Sequence, residues 1–189
     1  MKIKLCGFKE QESLEAAIES NIDYIGFIFH DNSPRNITFD QAKELSGLIP
    51  KNISKVSVTV DSSIEKLQKI YDSISPEYFQ LHGSETLESI KEIKEKFPKA
   101  KIIKAIGVSK KEDLDQIAKY EELADHILLD NKNPGSGKTF DWALMSNIKT
   151  KNDFILSGGL NCKNIIDAIN ETGATIVDIS SGIEEVKGR

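Results

Sequence analysis

FILSGGLNCKNIIDAINETGATIVDISSG, running from Phe154 to Gly182, holds the pattern that decides the fold. A short apolar run, Phe154–Leu156, stops at Ser157-Gly158-Gly159, and a second, Ile176–Ile179, stops at Ser180-Ser181-Gly182. Between them Ile165, Ile166 and Ile169 recur at helical spacing, with Asn161 placed to start the helix. Two strands joined through a helix lie parallel, because a tight hairpin has no room for that connection, and such crossovers are right-handed.

Working outward, the same unit repeats. Ile3–Leu5, Tyr24–Phe29, Val56–Val60, Tyr78–Leu81, Ile102–Ile106 and His126–Leu129 are further short runs rich in Ile, Val and aromatics. Helical stripes separate several of them: Leu14, Ala17 and Ile18; Ala42, Leu45, Leu48 and Ile49; Ile64, Leu67 and Ile70; Leu87, Ile90, Ile93 and Phe97. Asp61-Ser62-Ser63 is a start signal for the third. Eight strand–helix repeats predict an α/β fold, a closed (β/α)8 TIM barrel, with residues 1–189 forming a single domain. An open doubly wound sheet would carry Gly-x-Gly-x-x-Gly after its first strand, where only Cys6-Gly7 stands. After the eighth run only Ser180–Arg189 remain, so the last helix is expected to be missing or a stub. Strands one and eight would then lose outer cover and leave an apolar patch exposed.

Composition narrows the function. Thirty acidic residues against 25 basic ones give a net charge of −5, and no basic run is clustered, which argues against nucleic acid or an anionic membrane as partner. The sequence has no apolar stretch of membrane-spanning length and no signal-peptide core behind Met1. Two cysteines in 189 residues are no disulfide framework, so a reducing cytoplasm is expected. A small-molecule substrate fits these limits.

In this fold the chemistry sits at the C-terminal ends of the strands. Glycines at the ends of strands seven and eight let the backbone approach a ligand, and exposed N–H groups there bind anions. Gly158, Gly159, Ser180, Ser181 and Gly182 are therefore the expected phosphate site, although each glycine also serves a plain turn. Cys6 and Asp130 end strands one and six, which face each other across an eight-strand ring, as an acid–base pair would. Either also has a simpler use, Cys6 as a small core residue and Asp130 as a loop cap. Alternation along strand one turns Lys2 and Lys4 to the same inward side as Cys6. A lysine inside a barrel needs a partner, and Asp178 on the adjoining strand is the candidate for Lys4, whose ammonium would also favour the Cys6 thiolate.

Two other motifs fail. Gly137-Lys138-Thr139 resembles the end of a P-loop, but position 132, where that motif needs glycine, is Lys132. His30, His82, His126 and the two cysteines have no metal-ligand spacing, so no metal is expected.

Taken together, the strand ends resemble the phosphoribosylanthranilate isomerase family of tryptophan biosynthesis. The pieces are Lys4-Leu5-Cys6-Gly7, Gly26-Phe27-Ile28-Phe29 with Ser33-Pro34-Arg35, Gln80-Leu81-His82-Gly83, Lys104-Ala105-Ile106 and Leu128-Leu129-Asp130. Gly135 to Trp142, Ser157-Gly158-Gly159-Leu160 and Val177 to Gly182 complete an ordered set. The resemblance implies an Amadori rearrangement without cofactor. Asp130 would be the general acid on the ribose ring oxygen, and Cys6 the general base at C2′. Arg35 would meet the anthranilate carboxylate, for which a guanidinium fork is suited. His82 would line or support the site, and Asp178 matches a further active-site carboxylate, which competes with its reading as the partner of Lys4. The implied substrate is a sugar phosphate, bound by a monomer or homodimer. Other phosphate-binding barrels stay open, such as indole-glycerol-phosphate synthase or an aldolase using Lys104, as does a silent barrel that only binds phosphate ligands. The loop Asn131-Lys132-Asn133-Pro134-Gly135 carries less glycine at its start than the family pattern.

Overall fold

A computed structural model describes residues 1–146, 148–186 and 188. Eight parallel strands close on themselves in sequence order: β1 Lys2–Cys6, β2 Tyr24–Ile28, β3 Ser54–Thr59, β4 Tyr78–Leu81, β5 Lys101–Val108, β6 His126–Asn131, β7 Ile155–Leu156 and β8 Ile176–Ile179. The helices between them are α1 Gln11–Glu19, α2 Phe39–Ser46, α3 Ile64–Ile74, α4 Leu87–Lys96, α5 Gln116–Tyr120 and α6 Ile165–Thr172. The expected barrel is therefore what forms, with its apolar runs as strands.

Among the described residues, local signals explain three of the six helix starts. Thr38 accepts a hydrogen bond from the Gln41 amide while the Gln41 side chain returns to the Thr38 amide, a capping box opening α2. Ser63 and Thr86 cap α3 and α4 in the same sense. Asn161 behaves differently: α6 begins at Ile165, and the Asn161 side chain closes a turn by accepting from the Lys163 amide. The α2 stripe also ends earlier than its periodicity suggests, since Leu48 lies beyond the helix and is exposed. Between β6 and β7 there is only a 3-10 turn, Trp142–Met145, among the described residues.

Alternation along the strands makes two cores. Inside the barrel, Tyr24, Val56, Tyr78, Ile103, Leu128, Ile155 and Ile176 pack with Cys6, Val58 and Ala105. Outside it, a larger layer including Phe27, Phe79, Ile102, Leu129 and Val177 meets the helices. The barrel is thus plugged below by apolar side chains, and its polar inward residues collect toward the C-terminal ends of the strands.

After β8 comes a 3-10 turn, Ser181–Ile183, and no α-helix among the described residues. The expected patch is only partial. Val177 and Ile179 on β8 remain buried, while Ile3 and Leu5 on β1 are partly exposed; Ile166, Ile183 and Val186 are exposed outright.

Candidate active site

The strand ends surround a cavity of about 440 Å³, within the size range of small-molecule sites. Cys6, Arg35, His82, Asp130, Gly158, Gly159, Asp178, Ser180 and Ser181 all line it. Gly182 does not. A Cβ there would run into the Leu160 carbonyl and Asn161, so its lack of a side chain lets the β8 loop pack on the β7 loop.

On the β1 side, parallel register pairs Lys4 with Asp178 across the β1–β8 ladder. Both side chains point inward, and Lys4 Nζ donates to Asp178 Oδ2 at 2.7 Å. Lys4 is fully buried, and Asp178 is nearly so. Burial alone would lower the lysine's pKa, but the Asp178 carboxylate beside it outweighs burial and pushes the pKa up. Asp178 pairs with Lys4 and also lines the cavity, and its Oδ1 has no hydrogen bond to the described residues. Lys2, inward by parity, sits exposed at the opposite end of the barrel.

The Cys6 thiol differs from expectation in one respect. Lys4 does favour its thiolate, but burial is the larger effect and pushes the pKa up to about 11. At neutral pH Cys6 is therefore a thiol. Its space comes from Gly26, the β2 residue beside it, where a Cβ would clash with Cys6 Sγ.

Across the ring, three steps away, β6 carries Asp130. Its Oδ1 accepts from the Asn131 amide at 2.7 Å, and its Oδ2 lies 3.3 Å from His82 Nε2. His82 Nδ1 is 3.0 Å from Gln80 Nε2, an amide donor that leaves Nε2 to carry the ring proton toward Asp130. Gln80 and His82 are two residues apart on and just beyond β4, so both face inward. The loop after Asp130 is braced by Asn131, which accepts from the Asn133 amide and donates to the Thr139 carbonyl. Asn133, Pro134 and Gly135 then cover part of the cavity.

Arg35, 4% exposed, is gripped at two points by Glu184, a partner that sequence reasoning missed. The argument that gave Lys4 a partner, that a buried cation needs a carboxylate, would have asked for one here too. Lys104 shows why the aldolase alternative fails. Its place on β5 turns it outward, where Nζ reaches the Leu81, Gly83 and Ala105 carbonyls and Glu85, above the Tyr120 ring. It does not line the cavity. Among the described residues no group of three or more His, Cys, Asp and Glu is arranged to hold a metal.

A closed barrel whose strand-end cavity is lined by a carboxylate and a thiol from opposite strands has the architecture of a (β/α)8 enzyme. The sequence profile described as "PRAI: N-(5'phosphoribosyl)anthranilate (PRA) isomerase" matches residues 3–189. The N-(5'-phosphoribosyl)anthranilate isomerase of Parvibaculum lavamentivorans is 38% identical over all of this chain and 92% of its own length. The crystal structure of phosphoribosyl anthranilate isomerase from Thermotoga maritima superposes with a TM-score of 0.89 at 35% identity, covering 100% of this chain and 92% of that one. Another crystal structure, of phosphoribosyl anthranilate isomerase in complex with reduced 1-(o-carboxyphenylamino)-1-deoxyribulose 5-phosphate, gives a TM-score of 0.86 at 32% identity, covering 100% of this chain and 91% of that one. This chain belongs to the phosphoribosylanthranilate isomerase family. It is an isomerase of tryptophan biosynthesis, acting on N-(5'-phosphoribosyl)anthranilate.

Proposed function

We propose that the rearrangement runs by general acid–base catalysis between Asp130 and Cys6. The observation that carries this is their placement: two proton-transfer groups from opposite strands line one cavity, with the glycine turns of β7 and β8 in the same wall. Asp130 protonates the ribose ring oxygen, and the C1′–O bond opens to a Schiff base. Cys6 removes the C2′ proton, which the Schiff base acidifies, and the resulting enolamine tautomerises to the 1-deoxyribulose ketone. The atoms of substrate and product are the same, and proton transfers alone interconvert them. The Lys4 ammonium supports this step by favouring the thiolate, whose formation burial opposes.

Gly158, Gly159, Ser180 and Ser181 are the proposed holders of the 5′-phosphate. Gly158 and Gly159 have positive φ, which exposes backbone at the cavity wall, and the buried Ser180 hydroxyl has no partner among the described residues. Gly182 would contribute through loop packing rather than contact. Arg35 is assigned the anthranilate carboxylate, Asp178 Oδ1 a ribose hydroxyl, and His82 the orientation of Asp130. The protein acts as a single domain of residues 1–189 in the cytoplasm, as a monomer or as a homodimer, the latter supported by the dimeric Thermotoga maritima relative. Among the described residues no helix is long and apolar enough to cross a membrane, and the net charge of −5 argues against nucleic acid as a partner.

The test follows loss of substrate fluorescence on fresh N-(5'-phosphoribosyl)anthranilate. Cys6→Ala and Asp130→Asn should each lower kcat by about 10²–10⁴. Turnover near wild type in either variant would remove that residue from the mechanism.

A further inference from the structure

Arg35 and Glu184 face different spaces. Arg35 forms part of the wall of the large cavity, beside Asn133, Pro134 and Gly135. Glu184 instead lines an adjoining crevice of about 60 Å³, with Gly7, Phe8, Ile183 and Gly188, and Cys6 stands in the walls of both. Its two oxygens take one edge of the guanidinium: Arg35 Nε donates to Oε1 at 2.5 Å and Nη2 to Oε2 at 2.7 Å. Oε2 also accepts from the Gly188 amide at 3.1 Å, which fixes the carboxylate in turn. The remaining Nη1 is directed toward Gly135 on the cavity side, where an added Cβ would lie 3.6 Å from it. A guanidinium offers carboxylates more than one two-point edge, and the one gripped here is not the one toward the cavity.

We propose that Glu184 is a positioning residue for recognition of the substrate's carboxylate. It holds Arg35 from behind by the Nε–Nη2 edge, so that the edge bearing Nη1 meets the anthranilate carboxylate already oriented. The inference rests on the reading of Arg35 given above. An arginine held this way has lost its rotamer freedom before the ligand arrives, so the cost of ordering it does not fall on binding. The pairing also spares the fold an unpaired buried cation.

Two ligands separate this role from a merely structural one. The first is N-(5'-phosphoribosyl)anthranilate. The second is its aniline counterpart, which keeps ring, ribose and phosphate but lacks the carboxylate. The competitive inhibition constant of the aniline compound reports its binding whether or not it turns over. Glu184→Ala should raise KM for the first about tenfold, as loss of a charged hydrogen-bond pair would, with kcat changed less than about twofold. The aniline inhibition constant should stay within about twofold. Glu184→Gln, which keeps one acceptor, should fall between wild type and Glu184→Ala. Equal weakening of both ligands, or unchanged or tighter binding of the carboxylated one, would overturn the proposal. Arg35→Met is measured alongside. Selective loss of the carboxylated ligand upholds the assignment of Arg35, leaving Glu184 to be judged on its own variants. Equal loss or no loss refutes that assignment itself.

Discussion

Lys4 Nζ lies 2.7 Å from Asp178 Oδ2 inside the barrel, with the two side chains 0% and 6% exposed. Removing one partner strands the other charge in the interior. Lys4→Met or Asp178→Asn should therefore lower the unfolding free energy by about 3–5 kcal/mol, and the double variant should lose less than the two singles together. Urea denaturation of the four proteins measures this. Additive losses would show that the contact carries no coupling.

The second expectation concerns the thiol. Cys162 is exposed, so a Cys162→Ser background isolates Cys6 for alkylation by iodoacetamide. The Cys6 pKa is raised by burial to about 11, so the reactive thiolate grows as pH rises and is not complete until that pH is passed. The rate should climb about tenfold per pH unit from 7 to 10. Lys4→Met removes a group that favours the thiolate and should slow the reaction at pH 9. A plateau near pH 8.5 would show that burial does not control the thiol.

Gly158 has φ +89, and a Cβ there would lie 2.8 Å from the Asn131 amide nitrogen and 3.0 Å from Asp130 Oδ1. Gly158→Ala should cost about 1 kcal/mol in backbone strain and, by displacing Asp130, lower kcat about tenfold or more. Gly173→Ala is the matched control. It has φ +70 but nothing within 4 Å of the added carbon, so it should lose stability without losing activity. Thermal unfolding and steady-state turnover on both variants check the pair.

Asp113 accepts from the Ser109 and Lys110 amides and the Ser109 hydroxyl, and these bonds hold its pKa down at about 2 against 3.8 for the free group. A depressed carboxylate stabilises the fold fully above its unfolded pKa and loses that contribution as pH falls through the folded one. Asp113→Asn should cost about 1–2 kcal/mol at pH 6, with the gap to wild type narrowing between pH 4 and pH 2. Denaturant midpoints across that range test the sign.

How far the sequence could be read differs from residue to residue. Lys4 and Asp178 were recoverable because alternation sends Lys4 inward and strand order makes β8 its neighbour. The same alternation, applied to β5, would have turned Lys104 away from the cavity, since Ala105 and Ile103 are the inward residues. Helix ends were harder. Leu48 and Ile166 match an apolar period yet are exposed, because periodicity does not say which face a neighbouring element covers. Glu184 carried no motif at all: 149 residues separate it from Arg35.

The sequence by itself determined the repeating strand–helix unit, the inward parity of Lys4, Cys6 and Asp178, and the polar and glycine-rich strand ends. These follow from short-range rules, side-chain alternation and helical period, which act within one element and its connection. Only the tertiary structure decided that burial overrides the Lys4 ammonium at Cys6 and that Glu184 grips Arg35. It alone decided, too, that Gly182 serves loop packing rather than the cavity wall. Desolvation and pairing depend on everything that closes around a group, and most of that arrives from distant parts of the chain.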